Sequence, residues 1–531
     1  MVGVIAVLLY FTAATTPNPL YGAINTETQV LDTEQAAQGE NSLVLWYTDD
    51  SLTDYLTAAA LSFQKESGAR VEPRYVPGVN FLEEINRVSA IEEGNPEDPM
   101  PDIYLTTHDV LLRAYLSGLA SPVSDADSIL NASNYPETAL NAVTCYDKYV
   151  GYPLYYETNY FLYNKTYMAS IAQNKMEKEA DLQMAEEAQE QLEENGPPAD
   201  EAEDSKEGDS KEGDLKDGAS EGGDSENSDT AAGEAQEQDE TPMGEEDMNV
   251  SDEVLERLST MIPSTIDDIT TFASNYDAPE AVESVFEWDV SDVFYNYFFI
   301  GNYAEVGGAN GDNAAIFNIY NQQAVDCLKV YQSMNHFFSI DAKSVSYDTI
   351  LDDFIKGKTV FTVATTDAIA RIERAKENGE FEFEYGVTTL PDVSSLLKAR
   401  GLSVTTCLAV NGYSSKQELA NSFASYLCKN KSEDLYKKTG KVACKKGCEG
   451  GNAEIGHIME EYEKSMPLPK MVETSNYWVQ LEIAFTKVWQ GEDPDETLKS
   501  LAETMESQID EIRANLPTQE SFSAGAGTFV K

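Results

Sequence analysis

Residues that commonly carry out enzyme chemistry are sparse in this sequence. The three histidines, His108, His336 and His457, lie far apart along the chain, so histidine-based catalysis or metal binding is not favoured. Cys444 and Cys448 lack the second cysteine or histidine pair that would complete a zinc site. They form either a local disulfide or two free thiols, and we favour free thiols. Neither a Ser-His-Asp spacing nor a P-loop, HExxH or GxGxxG motif occurs. The sequence therefore gives little support to an enzyme.

Polar residues that could contact a ligand follow two predicted strands. Thr48, Asp49 and Asp50 follow the first of these strands, and residues 106–109 follow the second. In parallel α/β sheets, ligands bind beyond the carboxyl ends of the strands. We therefore expect these residues at the rim of a binding site.

The elements that would position them alternate between strand and helix, and Gly68 and Gly118 end two of the helices. Strands are predicted over 42–47, 69–75 and 101–105, and helices over 53–67, 81–92 and 110–117. This alternation is typical of a parallel sheet covered on both faces.

Further elements follow in the rest of the chain. The aromatic-rich segment 151–163 is predicted to be a strand, and Thr265 is placed to cap a helix that starts near Pro263. Strands are also predicted over 381–390 and 407–410, and helices over 290–299, 321–337, 415–427, 471–489 and 495–515. The chain is thus long enough for two α/β lobes of about 200 residues each.

Two stretches do not look globular. Residues 1–14 are nearly all apolar but shorter than a membrane-spanning helix, which indicates an export signal or signal-anchor over 1–22 and a tether over 23–41. Residues 173–250 form an acidic low-complexity insert. Within it, 174–195 is predicted to be a solvated helix, and 196–244 to be disordered, because its composition cannot bury enough apolar surface.

The net charge of −58 repels phosphate backbones, so nucleic-acid binding is not expected.

Several short segments, taken in order, resemble one family. Together they resemble the extracellular solute-binding proteins of the maltose-binding-protein type (family 1), which serve ABC importers. The matching segments are 43–46, 63–68, 100–103, 108–109, 118–119, 151–157, 163–165, 263–269, 354–359, 385–391 and 419–423.

The resemblance implies an α/β, two-lobed, periplasmic-binding-protein-like (type II) fold with hinge crossings and a disordered acidic insert. Lobe 1 would comprise 42–155 and 402–440, and lobe 2 would comprise 156–401 and 441–520, with the insert 173–250 inside it. The resemblance further implies an exported monomer that needs no cofactor or metal. This monomer would capture a small solute, a sugar or oligosaccharide, and deliver it to membrane permease subunits.

The resemblance also implies the residues that bind the solute. Carboxylates accept hydrogen bonds from two hydroxyl groups at once, and aromatic rings cover the C–H faces of a sugar. The implied ligand-binding residues are Asp50, Asp109, Glu157, Asp289, Tyr295, Asp367, Tyr477 and Trp478.

The sequence departs from the maltose binder at four ligand positions. Thr106 and Asp367 stand where that protein has stacking tryptophans, and Ser51 and Val110 stand where it has a lysine and an arginine. These departures argue against maltodextrin itself as the ligand.

Structural roles compete with binding at some of these positions. Asp109 is equally suited to cap the helix that follows it, whereas Trp46 and the aromatic cluster 294–303 are expected in the core. Two rival functions also remain. Asp109 and Glu157 could flank a glycosidic bond in an enzyme, or the same clamp could present its ligand to a membrane receptor kinase.

Overall fold

The computed structural model describes residues 41–78, 80–90, 99–124, 128–195, 251–448 and 450–515. These residues divide into two compact units, one formed by the chain up to Tyr167 and from Pro263 onward, the other by Met168–Ile262. The predicted export segment 1–22 and the predicted disordered stretch 196–244 lie outside the described residues, as does the tether 23–41 except for its last residue.

Strands and helices alternate along the first part of the chain, as predicted. The strands are β1 (Ser42–Tyr47), β2 (Arg70–Tyr75), β3 (Ile103–Thr107), β4 (Thr144–Cys145), β5 (Lys148–Tyr149), β6 (Tyr152–Asn164), β7 (Ser284–Phe286), β8 (Glu305–Val306), β9 (Phe317–Asn318), β10 (Thr359–Thr365), β11 (Tyr385–Thr388), β12 (Leu402–Val410), β13 (Val442–Ala443) and β14 (Met466–Pro467).

The helices fill the segments between these strands. They are α1 (Thr53–Ser67), α2 (Phe81–Ser89), α3 (Leu111–Leu116), α4 (Glu137–Ala142), α5 (Lys165–Asn195), α6 (Asp252–Ser259), α7 (Ile266–Asn275), α8 (Val293–Asn296), α9 (Gln322–Phe338), α10 (Tyr347–Ile355), α11 (Asp367–Glu377), α12 (Gln417–Asn430), α13 (Ser432–Thr439), α14 (Glu454–Lys464), α15 (Tyr477–Trp489) and α16 (Pro494–Asn515).

The first sheet is built around β1. This strand is buried along its whole length and pairs in parallel with β2 on one side and β3 on the other. Strand β12 runs antiparallel to β3, and β6 runs antiparallel to β12. The helix α1 that follows β1 ends at Gly68, whose positive φ of 76° suits glycine.

Strand β6 belongs to two sheets. Its first part pairs with β12, where Ser403 lies opposite Thr158. Its second part, from Asn159 onward, pairs antiparallel with β10 and β11, and β10 pairs in parallel with β7. The chain therefore passes from one sheet to the other within a single strand, between Thr158 and Asn159.

Aromatic side chains form much of the core behind the second sheet. Trp288 is fully buried, stacks on Phe286 with ring centroids 4.8 Å apart, and meets Trp489 edge-on at 5.6 Å. Residues 294–300 of the predicted core cluster 294–303 are buried as well, whereas Tyr303 at its end is only partly buried. Trp46 is also buried and packs near Phe81, as expected of a strand residue.

Several predicted elements have different bounds in the structure. The strand predicted over 407–410 begins five residues earlier, at Leu402. The helix predicted over 290–299 is reduced to α8 followed by a 3-10 turn at Tyr297–Phe299. The last strand of the second sheet spans only Tyr385–Thr388, because Phe381 packs against Phe354 and lies outside the ladder. The helix predicted from 471 starts only at Tyr477, after a separate 3-10 turn.

The described residues of the unit Met168–Ile262 lie mainly in helices. Most of α5 belongs to it, and the side chains from Gln173 to Gln191 are exposed apart from the partly buried Met176, as predicted for a solvated helix. Arg257 of α6 forms an ion pair with Glu179. Within the residues that the structure describes, no helix is both long and apolar enough to cross a bilayer.

Thr265 caps α7 as predicted. Its hydroxyl accepts a hydrogen bond from the backbone N–H of Asp268, whose carboxylate accepts one in return from the N–H of Thr265. Replacing Thr265 with alanine should therefore lower the free energy of unfolding by about 1 kcal/mol. Urea denaturation measures this loss, and an unchanged midpoint would show that the cap contributes nothing.

Candidate functional site

A partly buried lysine joins two carboxylates at the strand that links the sheets. The Nζ atom of Lys441 lies 3.2 Å from Oδ2 of Asp49 and 3.7 Å from Oε1 of Glu157. The same ammonium lies 5.5 Å from the ring centroid of Tyr155. These four side chains thus form one charged cluster, which we call the floor cluster.

Local structure puts Lys441 in this place. Helix α13 ends at Gly440, whose positive φ of 72° turns the chain sharply. The next two residues after Lys441 form β13, which pairs antiparallel with β6 in a register that sets Val442 opposite Tyr156. Because the register advances by one residue at a time, Lys441 comes beside Glu157.

Asp49 is held by its own loop. It follows β1 and caps a short 3-10 helix, where its Oδ1 accepts hydrogen bonds from the N–H and hydroxyl of Ser51. Burial acts to raise the pKa of Asp49, but Lys441 and Ser51 outweigh it and hold the pKa below its ordinary value. Asp49 is therefore an ionised acceptor.

Glu157 is almost fully buried. Its Oε2 accepts a hydrogen bond from the hydroxyl of Thr366, the residue before α11. Burial raises the pKa of Glu157 and Asp367 adds to the rise, whereas Lys441 and Thr366 oppose it. Of the two floor-cluster carboxylates, Glu157 is thus the one whose pKa is raised above its ordinary value.

Aromatic and acidic residues continue from the floor cluster into the second sheet's helices. Asp367 accepts hydrogen bonds from the hydroxyl of Tyr347, at 2.9 Å, and from the hydroxyl of Thr365. Tyr295 stacks on Tyr347 with ring centroids 5.0 Å apart. The structure thereby brings together Glu157, Asp367 and Tyr295 of the predicted site residues.

Asp289 contacts the group of Asp367, Tyr347 and Tyr295 through the backbone of Tyr347. Its carboxylate accepts hydrogen bonds from the N–H and hydroxyl of Ser291 and from the backbone N–H of Tyr347, and it is buried. Those bonds give Asp289 a structural part, because they fix the start of α10 next to Tyr295. Its role as a ligand contact stays a prediction.

The two predicted acids of the first sheet's rim differ in setting. Asp50 is exposed at the start of its 3-10 helix, next to Asp49. Asp109 is partly buried in the 3-10 turn His108–Val110, where burial raises its pKa and the hydroxyl of Thr107 opposes the rise. In this arrangement Asp109 is grouped with its own turn and not with the floor cluster.

The late aromatic pair is divided between core and surface. Tyr477 is fully buried against Phe317, edge-on at 5.7 Å. Trp478 is half-buried, with its ring 5.6 Å from that of Tyr297. Of the two rings, Trp478 is therefore the one accessible to a solute, and both stay predictions as ligand contacts.

The histidine and cysteine residues have structural settings. His108 is fully buried, accepts the N–H of Thr405 at Nδ1 and donates from Nε2 to the carbonyl of Leu468. All six cysteines lie buried in the described part of the chain and none of them forms a disulfide, in line with the thiols favoured for Cys444 and Cys448. Among the described residues, no group of His, Cys, Asp or Glu side chains is arranged to hold a metal ion.

Lys441, Thr366, Tyr347 and Tyr155 were not predicted as site residues. Thr366 adjoins the predicted Asp367, and Tyr155 lies two residues before the predicted Glu157, so closeness in sequence was the available signal. Lys441 had only the helix-ending Gly440 before it. Its approach to Glu157 depends on a pairing between segments 284 residues apart, which no local pattern reveals.

Solved structures with the same fold were found by comparison. A cyclo/maltodextrin-binding protein complexed with maltotetraose is 18% identical, with a TM-score of 0.61 over 88% of this chain and 97% of the other. An extracellular solute-binding protein from Staphylococcus aureus in complex with maltose is 16% identical, with a TM-score of 0.62 over 89% and 98%. The maltose-binding periplasmic protein from Listeria monocytogenes, in complex with maltose, is 18% identical, with a TM-score of 0.60 over 89% and 98%.

These likenesses establish the fold. The chain has the two-lobed α/β fold of the maltose-binding-protein type, so the predicted fold class is confirmed, and the resemblance seen in the sequence holds at the level of structure. No protein-family model and no curated protein sequence matches the chain.

Proposed function

We propose that this protein is an extracytoplasmic solute-binding protein that captures a carbohydrate between two lobes and delivers it to an ABC permease. The observation that carries the proposal is the position of the floor cluster. Its Glu157 lies on the strand that passes from one sheet to the other, and Asp49 is joined to it through Lys441, where lobe closure would enclose a solute.

The chemistry of the floor cluster, together with the neighbouring Asp367 and the predicted contact Trp478, fits a polyhydroxylated ligand. Asp49, Glu157 and Asp367 offer carboxylate oxygens, which accept hydrogen bonds from sugar hydroxyls. The partly exposed ring of Trp478 offers a flat apolar face. The solved neighbours are described as complexes with maltose or maltotetraose, which supports a saccharide as the ligand class.

Binding without turnover is the expected behaviour. Titration calorimetry of the purified full chain against maltose, maltotriose, maltotetraose and a wider panel of oligosaccharides and polyols should identify a ligand. The ligand should be recovered unchanged afterwards. Hydrolysis products would favour the enzyme that Asp109 and Glu157 could form, and heat from a peptide or polyamine alone would exclude a carbohydrate binder.

Replacing Trp478 with alanine should weaken binding of the identified saccharide by about 1–3 kcal/mol, because a stacked ring is lost. Thermal unfolding should stay close to that of the unmodified protein, since the ring is only half-buried. Phe337→Ala is the matched control, because Phe337 is an exposed aromatic residue on α9. Equal affinities in calorimetry for both variants would remove Trp478 from the site.

A further inference from the structure

We propose that Lys441 is a positioning residue of the binding site, which keeps Glu157 ionised and aimed at the ligand as a hydroxyl acceptor. The inference rests on the proposed carbohydrate-binding function and assigns to it a residue outside the predicted set. Lys441 thereby sets the pH range over which the site binds its saccharide.

The geometry supports a role in the site because Lys441 contacts parts of the chain that belong to different sheets. Its ammonium reaches Asp49 beyond β1 and Glu157 on the shared strand. The preceding Gly440 packs closely against α11 of the other sheet, since a Cβ atom built there would lie 2.9 Å from Cβ of Ala370. Lys441 is therefore fixed from both sides rather than free to swing into solvent.

The charges around Glu157 show why a cation is needed there. Burial and the acids Asp367 and Asp49 all act against the ionisation of Glu157. Lys441 is the one cation among the main influences on Glu157, and Thr366 adds a hydrogen bond. Without Lys441 the carboxyl would hold its proton to higher pH, and a protonated carboxyl loses acceptor capacity.

A purely structural salt bridge would behave differently. It would change the stability of the fold but not the pH at which ligand affinity is lost. The dependence of the dissociation constant on pH therefore separates a positioning role from a structural one.

The test compares wild type with Lys441→Met, Lys441→Gln and Lys441→Arg. Calorimetry with the identified saccharide between pH 5 and pH 9 gives each variant's midpoint for the loss of affinity as pH falls. The midpoint should move up by about one to three pH units in the Met and Gln variants, and Arg should restore it. A midpoint equal to that of wild type in either neutral variant would overturn the proposal.

A second measurement does not need a ligand. Carboxyl-carbon NMR of glutamate-labelled protein, with Glu157 assigned by its absence in Glu157→Gln, follows ionisation directly. The Glu157 titration should shift to higher pH in Lys441→Gln, and an unshifted titration would overturn the role of Lys441. If no saccharide binds but this shift occurs, the proposed carbohydrate function fails while the effect of Lys441 on Glu157 stands.

Discussion

Trp288→Ala is expected to lower the free energy of unfolding by about 3–5 kcal/mol. The indole is fully buried between Phe286 and Trp489, so its loss leaves a cavity in an aromatic core. The substitution also removes the indole N–H that donates to Oδ1 of Asn296 at 2.9 Å, which leaves a buried amide oxygen without that partner.

Urea denaturation followed by circular dichroism measures this effect. The exposed Phe337→Ala variant, which should change stability by less than about 1 kcal/mol, is the control for loss of an aromatic ring. A loss below about 1 kcal/mol for Trp288→Ala would contradict the packing described for the second sheet.

Acid should destabilise the protein through His108. Burial lowers the pKa of His108 to about 3 from an ordinary value of 6.5. Between these two values the unfolded chain binds a proton that the folded protein does not, so stability falls as pH falls. The loss begins near pH 6.5 and reaches roughly 4–5 kcal/mol by pH 3.

His108→Gln tests this contribution, because glutamine can donate to the carbonyl of Leu468 but does not titrate. At pH 7 the variant should be about 1–3 kcal/mol less stable, since the N–H of Thr405 loses its acceptor. Between about pH 4 and pH 6 the variant should become the more stable of the two proteins. In that range the cost of keeping His108 unprotonated in the folded wild type exceeds the stability that the variant loses at Thr405. Stability curves that stay parallel down to pH 4 would show that His108 does not carry this cost.

The elements with local signals were the ones that sequence predicted best. Strand β1 and helix α1 have the predicted bounds, because a continuous apolar run and a glycine stop mark them. Thr265 caps its helix as expected, because the capping box lies within four residues. The segment 381–390 was predicted less well, since tertiary packing of Phe381 overrides its strand-like pattern.

The candidate site depended on long-range pairing, which sequence patterns do not encode. Glu157 could be placed near a crossing only through the family resemblance. Its cation, Lys441, arrives through the pairing of β13 with β6. Burial separates Tyr477 from its neighbour Trp478, and two adjacent aromatic residues in a sequence do not show which ring is accessible.

Closure of two lobes on a saccharide is the central claim, and a distance across the lobes tests it most directly. The six native thiols should not react with a spin label directed at added cysteines, because all six are buried. Burial also raises the pKa of Cys145, Cys327 and Cys428 to about 12. Leu61, 50% exposed on α1, and Leu396, 86% exposed beyond β11, offer one labelling position for each proposed lobe.

Pulsed electron–electron double resonance on the Leu61→Cys, Leu396→Cys protein, labelled at both added cysteines, gives the distribution of distances between the two spin labels. It is measured with and without the saccharide identified by calorimetry. Closure predicts that saturating ligand shifts the main distance by more than about 2 Å and narrows its distribution. The same distribution in both conditions, with binding verified on the labelled sample, would contradict the hinge-closing clamp.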